Sequence, residues 1–186
     1  VIEKAREFTE QACAKGAVVL KPYIQGDKIM VSVVQADDFY PVSFDSDGDV
    51  TGGVFLDYTY IENKKYTRLE YHSLDGDTYT ISNKAYCLTT SQINSVQENS
   101  LGKEVPLTEV PDWEYITPVV SIKEINHVLF SYFKMPFANQ IESKSPLGVS
   151  CFSRAVDQIR KADEIWSEIA WEFESGERAV NVPEDM

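Results

Sequence analysis

The first fifteen residues carry apolar side chains at the spacing of a helix. Ala5, Phe8 and Ala12 follow one another at steps of three and four residues, which places them on one helical face. Gly16 follows, and glycine is the residue that most often ends a helix. The pattern therefore predicts a helix over residues 3–15.

From residue 17 onward the pattern becomes that of β-strands, with short turns rich in Asp, Asn and Gly. Segments 17–24 and 28–34 flank a Gly-containing turn and predict a hairpin. Further strands are predicted at 39–44, 54–60, 66–72 and 78–81, the first of them at a sheet edge because it contains Pro41. The last three predict a meander. Tyr58 and Tyr60, like Leu69 and Tyr71, alternate with polar residues, as in a sheet with one solvated face.

The middle of the chain has the weakest pattern. Residues 89–112 are rich in Ser, Gln, Asn and Glu and contain two prolines, which predicts a loop segment. Beyond it, the best strand candidate is Val128–Phe133, and residues 139–144 predict a polar loop.

The clearest helical pattern lies near the end of the chain and predicts an amphipathic helix from about residue 148 to residue 175. Ser145 with Pro146, or alternatively Ser150, would begin this helix, and Gly176 would end it. The apolar stripe consists of Phe152, Ala155, Ile159, Ala162, Trp166, Ile169 and Phe173.

Such a stripe needs a surface to cover, and the predicted sheet of residues 17–88 is the natural partner. We therefore expect a single α+β domain over residues 1–186. It would be a mostly antiparallel β-sheet or meander with the N-terminal helix and the long C-terminal amphipathic helix packed on it. In that arrangement Ile159→Ala would lower the free energy of unfolding by about 2–5 kcal/mol.

Composition and charge narrow the classes of function. The 186 residues are 43% hydrophobic and 25% charged, which is typical of a folded domain and not of a disordered chain. No stretch approaches the roughly 20 apolar residues of a membrane helix, and no signal-peptide core is present, so we predict no membrane partner. The net charge of −13 disfavours a nucleic-acid-binding module. Since the chain does not begin with Met, we expect it to be part of a longer protein.

Cysteine and histidine are too scattered for a metal centre. Cys13, Cys87 and Cys151 form no CxxC pair, and neither His72 nor His127 has a second His or Cys at ligand spacing. We expect three reduced thiols in a cytoplasmic protein.

Three short motifs resemble sites of known chemistry, but each lacks an essential residue. The run Asp45–Asp49 begins like an EF-hand loop, yet Val50 and Leu56 stand where Gly and Glu are required, so a β-turn is preferred. Ser150 lies in a Gly148–Phe152 sequence that has Phe where a nucleophile elbow needs Gly, which favours a capping or packing serine. Ser131–Lys134 spells S-x-x-K without the accompanying motifs. We predict no catalytic residue, no cofactor and no metal.

Two tryptophans are candidates for a subunit interface. Most of the ten Tyr, nine Phe and three Trp are expected in the core. Trp166 and Trp171, however, are separated by about 140° around a helix, so they cannot both occupy the centre of one stripe. One of them is therefore a candidate for an exposed or interfacial aromatic.

A series of short motifs occurs in a fixed order along the chain. They are Gly16-Ala17, Lys21–Ile24, Val34–Pro41, Ser82–Tyr86, Lys144–Ser150 and Glu172–Arg178. The series resembles the portal proteins of tailed bacteriophages, in the version found in phages and prophages of Gram-positive bacteria, which is often labelled a phage capsid or minor structural protein. The resemblance covers most of residues 15–180.

The resemblance implies a structural subunit of the portal, the head–tail connector through which DNA is packaged and ejected. Portal proteins form a dodecameric ring at one capsid vertex, contact the terminase, capsid or scaffold and tail-connector proteins, and carry out no covalent chemistry. The resemblance thus implies a virion protein that assembles in the bacterial cytoplasm. It places this chain in the outer, wing-like region of a longer subunit, without specific DNA binding of its own. We expect this piece alone to be monomeric or weakly associated, because its like charges repel.

Two other classes of function remain open from the residues. One is a small α+β hydrolase that uses a pair of carboxylates, since thirty acidic residues always allow some pair. The other is an unrelated structural or adhesin-like binding module. A deep pocket with converging acids would favour the hydrolase, and an exposed aromatic patch on one sheet face would favour the binding module.

Overall fold

The computed structural model describes residues 5–89 and 100–176. Its first element is helix α1, Ala5–Lys15, which matches the predicted helix; residues 3 and 4 lie outside the described range. The N–H of Gly16 donates a 2.7 Å hydrogen bond to the carbonyl of Ala12, and Gly16 has a φ of 91°. Glycine ends α1 because it adopts this left-handed conformation without steric cost.

A small antiparallel sheet follows α1. Strands β1, Ala17–Gln25, and β2, Lys28–Gln35, form the predicted hairpin. Strand β9, Ser131–Lys134, pairs with the other edge of β1, which gives the order β2-β1-β9. Of the predicted strand Val128–Phe133, residues 131–133 lie in β9, and the strand ends at Lys134.

A larger antiparallel sheet contains the meander. Its long strands are β4, Val50–Ile61, β5, Lys64–Asp75, and β6, Thr78–Thr89. Strand β3, Phe39–Phe44, lies at one edge, as Pro41 predicts. At the other edge β6 pairs with β8, Val119–Lys123, along its first half and with β7, Lys103–Val105, along its second half. The predicted α+β fold with mostly antiparallel sheets is confirmed.

The segment predicted as loop, 89–112, has more structure than expected. Thr89 ends β6, residues 90–99 lie outside the described range, and β7 is followed by two 3-10 turns, Leu107–Glu109 and Pro111–Trp113. Leu107, Val110 and Trp113 are buried against the larger sheet. Three apolar residues at steps of three therefore anchor this segment, although the polar residues around them predict a loop.

Two hydrophobic clusters lie on the same face of the larger sheet. The first joins Phe39 and Phe55 of this sheet to Val19 of the smaller sheet and to Phe130, the residue before β9. The rings of Phe55 and Phe130 are 5.5 Å apart in an edge-to-face arrangement. In the second cluster the 3-10 turns cover Tyr66 and Ala85. Together the smaller sheet and the turns cover this face of the larger sheet.

The C-terminal helix, α2, spans Val156–Gly176, and a 3-10 turn, Ser153–Ala155, precedes it. Helix α2 begins later than predicted, because hydrogen bonds to backbone atoms hold the segment before it against α1 and β9. The N–H of Cys151 donates to the carbonyl of Cys13 at 2.9 Å, and Lys134 Nζ donates to the carbonyl of Pro146 at 3.2 Å. Phe152 therefore lies before the helix and not on its stripe.

The prediction that this helix packs on the sheet is wrong. Every residue of α2 except Ser175 is exposed, and none is buried. The face of the larger sheet that bears its buried clusters is already covered by the smaller sheet and the 3-10 turns, as described above. Nothing in residues 5–89 and 100–176 therefore covers the apolar stripe of α2.

The effect expected for Ile159→Ala changes accordingly. Because the side chain is 54% exposed, we expect the free energy of unfolding of the monomeric chain to change by less than about 0.5 kcal/mol. Urea unfolding at low protein concentration would measure this. Val110→Ala is the matched control, since Val110 is fully buried and should cost about 1–3 kcal/mol. Equal losses for both variants would contradict the open stripe.

Candidate interaction surfaces and a buried charge cluster

The acidic motif that resembles a calcium loop forms a turn between β3 and β4. One oxygen of the Asp45 carboxylate accepts the backbone N–H groups of Asp47 and Asp49, at 2.9 and 2.8 Å. Gly48 has a φ of 82°, which suits a turn. The sequence prediction of a β-turn is confirmed.

Ser150 lies shortly before the 3-10 turn Ser153–Ala155, which leads into α2. Its Oγ accepts the N–H of Phe152 at 3.3 Å, which is a local turn between a serine and the residue two positions on and not a helix cap. Ser131 and Lys134 are the first and last residues of β9 and therefore lie on opposite faces, as expected for positions three apart on a strand. Among the described residues, no three His, Cys, Asp or Glu side chains are grouped as a metal would require.

Two of the motifs that carry the family resemblance meet in space. A Cβ added to Gly148 would lie 2.2 Å from the carbonyl oxygen of Gly16, and one added to Gly16 would lie 2.7 Å from that of Gly148. The carbonyl of Gly16 also accepts the N–H of Met135 at 2.9 Å. The end of α1, the end of β9 and the chain before α2 are thus joined through backbone contact that only glycine permits.

A cluster of charged residues lies between the two sheets. Glu70 of β5 is at its centre: one carboxylate oxygen is 2.6 Å from Lys21 Nζ on β1, and the other is 2.9 Å from Arg68 Nη1. Arg68 also contacts Asp57 at 3.1 Å and Asn83 at 3.0 Å. Since the side chains of Lys21, Arg68 and Glu70 are at most 21% exposed, these pairs are largely shielded from water. Lys21 and Glu70 form an ion pair from one sheet to the other.

His72 continues this network into the core. Its Nε2 is 2.7 Å from a Glu70 oxygen, and its Nδ1 is 2.5 Å from the hydroxyl of Tyr79. A neutral imidazole with its proton on Nε2 satisfies both bonds, because Nε2–H donates to Glu70 and Nδ1 accepts from Tyr79. His72, which has no partner at ligand spacing in the sequence, is therefore a buried hydrogen-bonded histidine.

The network shifts two pKa values in opposite directions. Burial would raise the pKa of the Glu70 carboxyl, but the hydrogen bond from His72 and the charge of Lys21 outweigh burial and lower this pKa to about 2. Burial, together with the charge of Glu70, raises the pKa of Tyr79 to about 12, although a backbone hydrogen bond at Leu129 opposes the rise. Glu70 is therefore a fixed anion at neutral pH.

Because Glu70 is charged in the folded protein, the free energy of unfolding depends on pH. The folded pKa of about 2 lies below the ordinary value of 4.5, so Glu70 contributes stability that is fully present above about pH 4.5. We expect about 3 kcal/mol of unfolding free energy to be lost as the pH falls from about 4.5 to 2. Urea unfolding at several pH values would measure the loss, and Glu70→Gln should lack this part of it. Parallel pH curves for the two proteins would contradict the assignment.

The opposite face of the larger sheet carries the aromatic residues. The alternation in β4 and β5 places Tyr58, Tyr60, Leu69 and Tyr71 on one face, and Arg68, Glu70 and His72 on the other. The tyrosines of β4 are open to solvent, with Tyr58 54% and Tyr60 63% exposed, whereas the side chains of Arg68, Glu70 and His72 on the other face are largely buried. A pattern of apolar and polar residues predicts that two faces exist, but here it does not predict which one is buried.

An open groove of about 540 Å³ lies on this aromatic face. Its apolar walls are Tyr40, Val54, Leu56, Tyr58, Leu69 and Leu101. Lys65 lies over the ring of Tyr58, with Nζ 5.2 Å from the ring centroid. Asp37 and Asp38 line it as well, so the groove carries acidic as well as apolar surface.

The two tryptophans predicted as interface candidates are both exposed, Trp166 by 72% and Trp171 by 69%. About 140° of helix separates them, which places Trp166 within the apolar stripe of α2 and Trp171 among its charged residues. The stripe of α2 consists of Ile159, Ala162, Ile165, Trp166, Ile169 and Phe173. Trp166 is therefore the stronger interface candidate.

The comparisons with known proteins agree with the motifs in the sequence. A family model described as phage portal protein, SPP1 Gp6-like, matches residues 3–186. No curated protein and no solved structure matches the chain. No helix in the described part of the chain is both long and apolar enough to cross a membrane. Since the family model spans nearly the whole sequence, this chain belongs to the SPP1 Gp6-like family of phage portal proteins.

Proposed function

We propose that this chain forms part of a ring of portal subunits through which phage DNA is packaged and ejected. The family match gives the coarser statement: the chain has a structural role in the phage portal, belongs to the virion and works in an oligomeric assembly with head and tail proteins. In our proposal the ring is dodecameric and assembles in the bacterial cytoplasm. Its partners are the terminase, capsid or scaffold proteins and tail connectors.

The observation that carries the proposal is the family match over residues 3–186. The stripe of α2 and the tyrosines of the aromatic face support it, because an assembly subunit needs apolar surfaces, and the described residues leave these two exposed. We further propose that residues 1–186 form one domain in the outer, wing-like region of the subunit. With a net charge of −13 this region would not bind DNA specifically.

The site chemistry gives little support to a carboxylate-pair hydrolase, whereas the portal family is structural. Asp57 and Glu70 both line a cavity of about 360 Å³, but the guanidinium of Arg68 lies between them and contacts both. A general acid needs a pKa near the working pH, and the pKa of Glu70 is about 2. The arrangement is typical of an ion pair that joins two sheets.

An adhesin-like binding module is favoured by one observation, the exposed tyrosines of β4 and β5. The same face serves equally well for contacts within an assembly. The family match therefore decides in favour of the assembly role.

The size of the assembled protein tests the proposal. We expect the portal subunit that contains this chain to form a large discrete ring in light scattering and electron microscopy. The 186-residue chain alone should be close to its monomer mass of 21.1 kDa at low concentration. A tight two-fold dimer as the largest species, across salt and protein concentrations, would contradict the proposal, since a closed pair cannot extend into a ring.

A further inference from the structure

We propose that Cys13 and Cys151 form a reversible disulfide, which ties the end of α1 to the segment that leads into α2. Both residues carry free thiols in the structure. The sequence places them near opposite ends of the chain, without a motif that would pair them. The fold brings the two residues together, so their pairing is visible only in the structure.

The backbones of the two cysteines are in direct contact. The N–H of Cys151 donates to the carbonyl of Cys13 at 2.9 Å. This carbonyl is among the last four of α1, which a helix leaves without an internal partner. With ordinary bond lengths and this hydrogen bond, the two Cα atoms are at most about 6.8 Å apart. Disulfides join Cα atoms that lie about 4.4–6.8 Å apart, so the backbone is already within bridging distance.

The contacts around the two cysteines hold this approach in place. Gly16 and Gly148 meet backbone to backbone a few residues away, and the carbonyl of Gly16 accepts the N–H of Met135. Cys13 Sγ is 3.8 Å from Met135 Sδ, which places this sulfur where α1 meets the chain after β9. A cysteine sulfur changes direction by rotation about χ1 alone. The bond therefore forms by turning two side chains on a backbone that stays where it is.

The two thiols differ in exposure, which sets the order of the chemistry. Cys151 is exposed and Cys13 is partly buried. In exchange with a small-molecule disulfide, the thiolate of Cys151 attacks one of its sulfurs, releases one small thiol and leaves a mixed disulfide. The thiolate of Cys13 then attacks the Cys151 sulfur and releases the second small thiol. Two protein thiols are oxidised, one small disulfide is reduced to two thiols, and an excess of small thiol reverses both steps.

The third cysteine lies in a different part of the fold. Cys87 belongs to β6, where its strand partners are Tyr66 and Lys103, and it packs against the second hydrophobic cluster. Helix α1 instead contacts the strands of the smaller sheet. Cys87 is therefore an internal reference for a thiol that the fold does not pair.

The bond would close a very long loop. All nine strands lie between Cys13 and Cys151. A disulfide that closes a long loop restricts the unfolded chain strongly, so the oxidised protein should resist urea better than the reduced one. A virion protein made in the cytoplasm passes from reducing to oxidising surroundings on release, so the bond is open during assembly and closed in the released particle. This timing rests on the proposed function, whereas the bond itself does not.

Thiol counting after treatment of the folded chain with glutathione disulfide tests the pairing. The wild type should lose two of its three thiols, and its mass should fall by two hydrogen atoms. Peptide mapping without reductant should link the peptide of Cys13 to that of Cys151. The urea midpoint of the oxidised protein should rise, and dithiothreitol should restore all three thiols and the original midpoint.

Two serine variants provide the controls. Cys87→Ser should lose both of its remaining thiols and show the same rise in urea midpoint. Cys13→Ser should form no internal bond, should add glutathione at Cys151, and its midpoint should not rise; circular dichroism should show that both variants are folded. Retention of all three thiols by the wild type, a bond to Cys87, or a link between two copies on a non-reducing gel would each overturn the inference. None of these results bears on the proposed function, since a ring of subunits can form without this bond.

Discussion

Replacing Glu70 by glutamine should lower the free energy of unfolding by about 3–5 kcal/mol at neutral pH. The carboxylate is 11% exposed and contacts Lys21, Arg68 and His72. Glutamine keeps the shape but removes the charge, so two buried cations lose their shared anion. Breaking a buried ion pair by removing one partner costs far more than the pair contributes when it is intact. Urea unfolding of both proteins would measure the difference.

Glu104→Gln is the matched control for this prediction. Glu104 also pairs with a lysine, Lys84 at 3.5 Å, but both side chains are 59% exposed. Exposed pairs of this kind contribute about 0–1 kcal/mol. If the two glutamine variants lost similar stability, the cluster between the sheets would not hold them together as described.

Gly148→Ala should destabilise the chain by at least about 3 kcal/mol. The new Cβ would lie 2.2 Å from the carbonyl oxygen of Gly16 and 3.0 Å from the Cβ of Lys134. A backbone carbonyl cannot rotate away as a flexible side chain can, so α1 and the segment before α2 would have to separate. Thermal and urea unfolding would both report this loss.

Gly176→Ala provides the comparison. Gly176 ends α2, its added Cβ would meet nothing within 4 Å, and like Gly148 it does not have a positive φ. We expect a change of less than about 1 kcal/mol there. A Gly148→Ala protein as stable as Gly176→Ala would show that the chain can relax around this contact.

The local elements of the fold follow from the sequence, whereas their packing does not. The helix before Gly16, the hairpin around Gly26 and the turn at Asp45 depend on residues close in the chain, so periodicity and turn chemistry predict them. The position of α2 depends on which surface remains open after the smaller sheet has packed. Which surface remains open depends on contacts between distant parts of the chain. The sequence pattern from Ile159 to Phe173 is the same whether the stripe is covered within the chain or between copies.

The buried charge cluster shows the same limit. Arg68, Glu70 and His72 occupy alternate positions on β5, which in most antiparallel sheets indicates the solvated face. Their burial is compensated because Glu70 contacts both Arg68 and His72 and also pairs with Lys21, which comes from a strand more than forty residues away. The tyrosines on the other face are exposed to solvent. Which of the two faces is buried follows from the position of β1, and the sequence of β5 alone does not predict it.

The contact between Gly16 and Gly148 also has a consequence for how this sequence can diverge. When two side chains meet, a change in one can be compensated by a change in the other. Here each glycine meets the backbone of its partner, and no substitution at the partner position removes a backbone carbonyl. Neither residue therefore has a compensating path, and both should persist while the surface around them drifts.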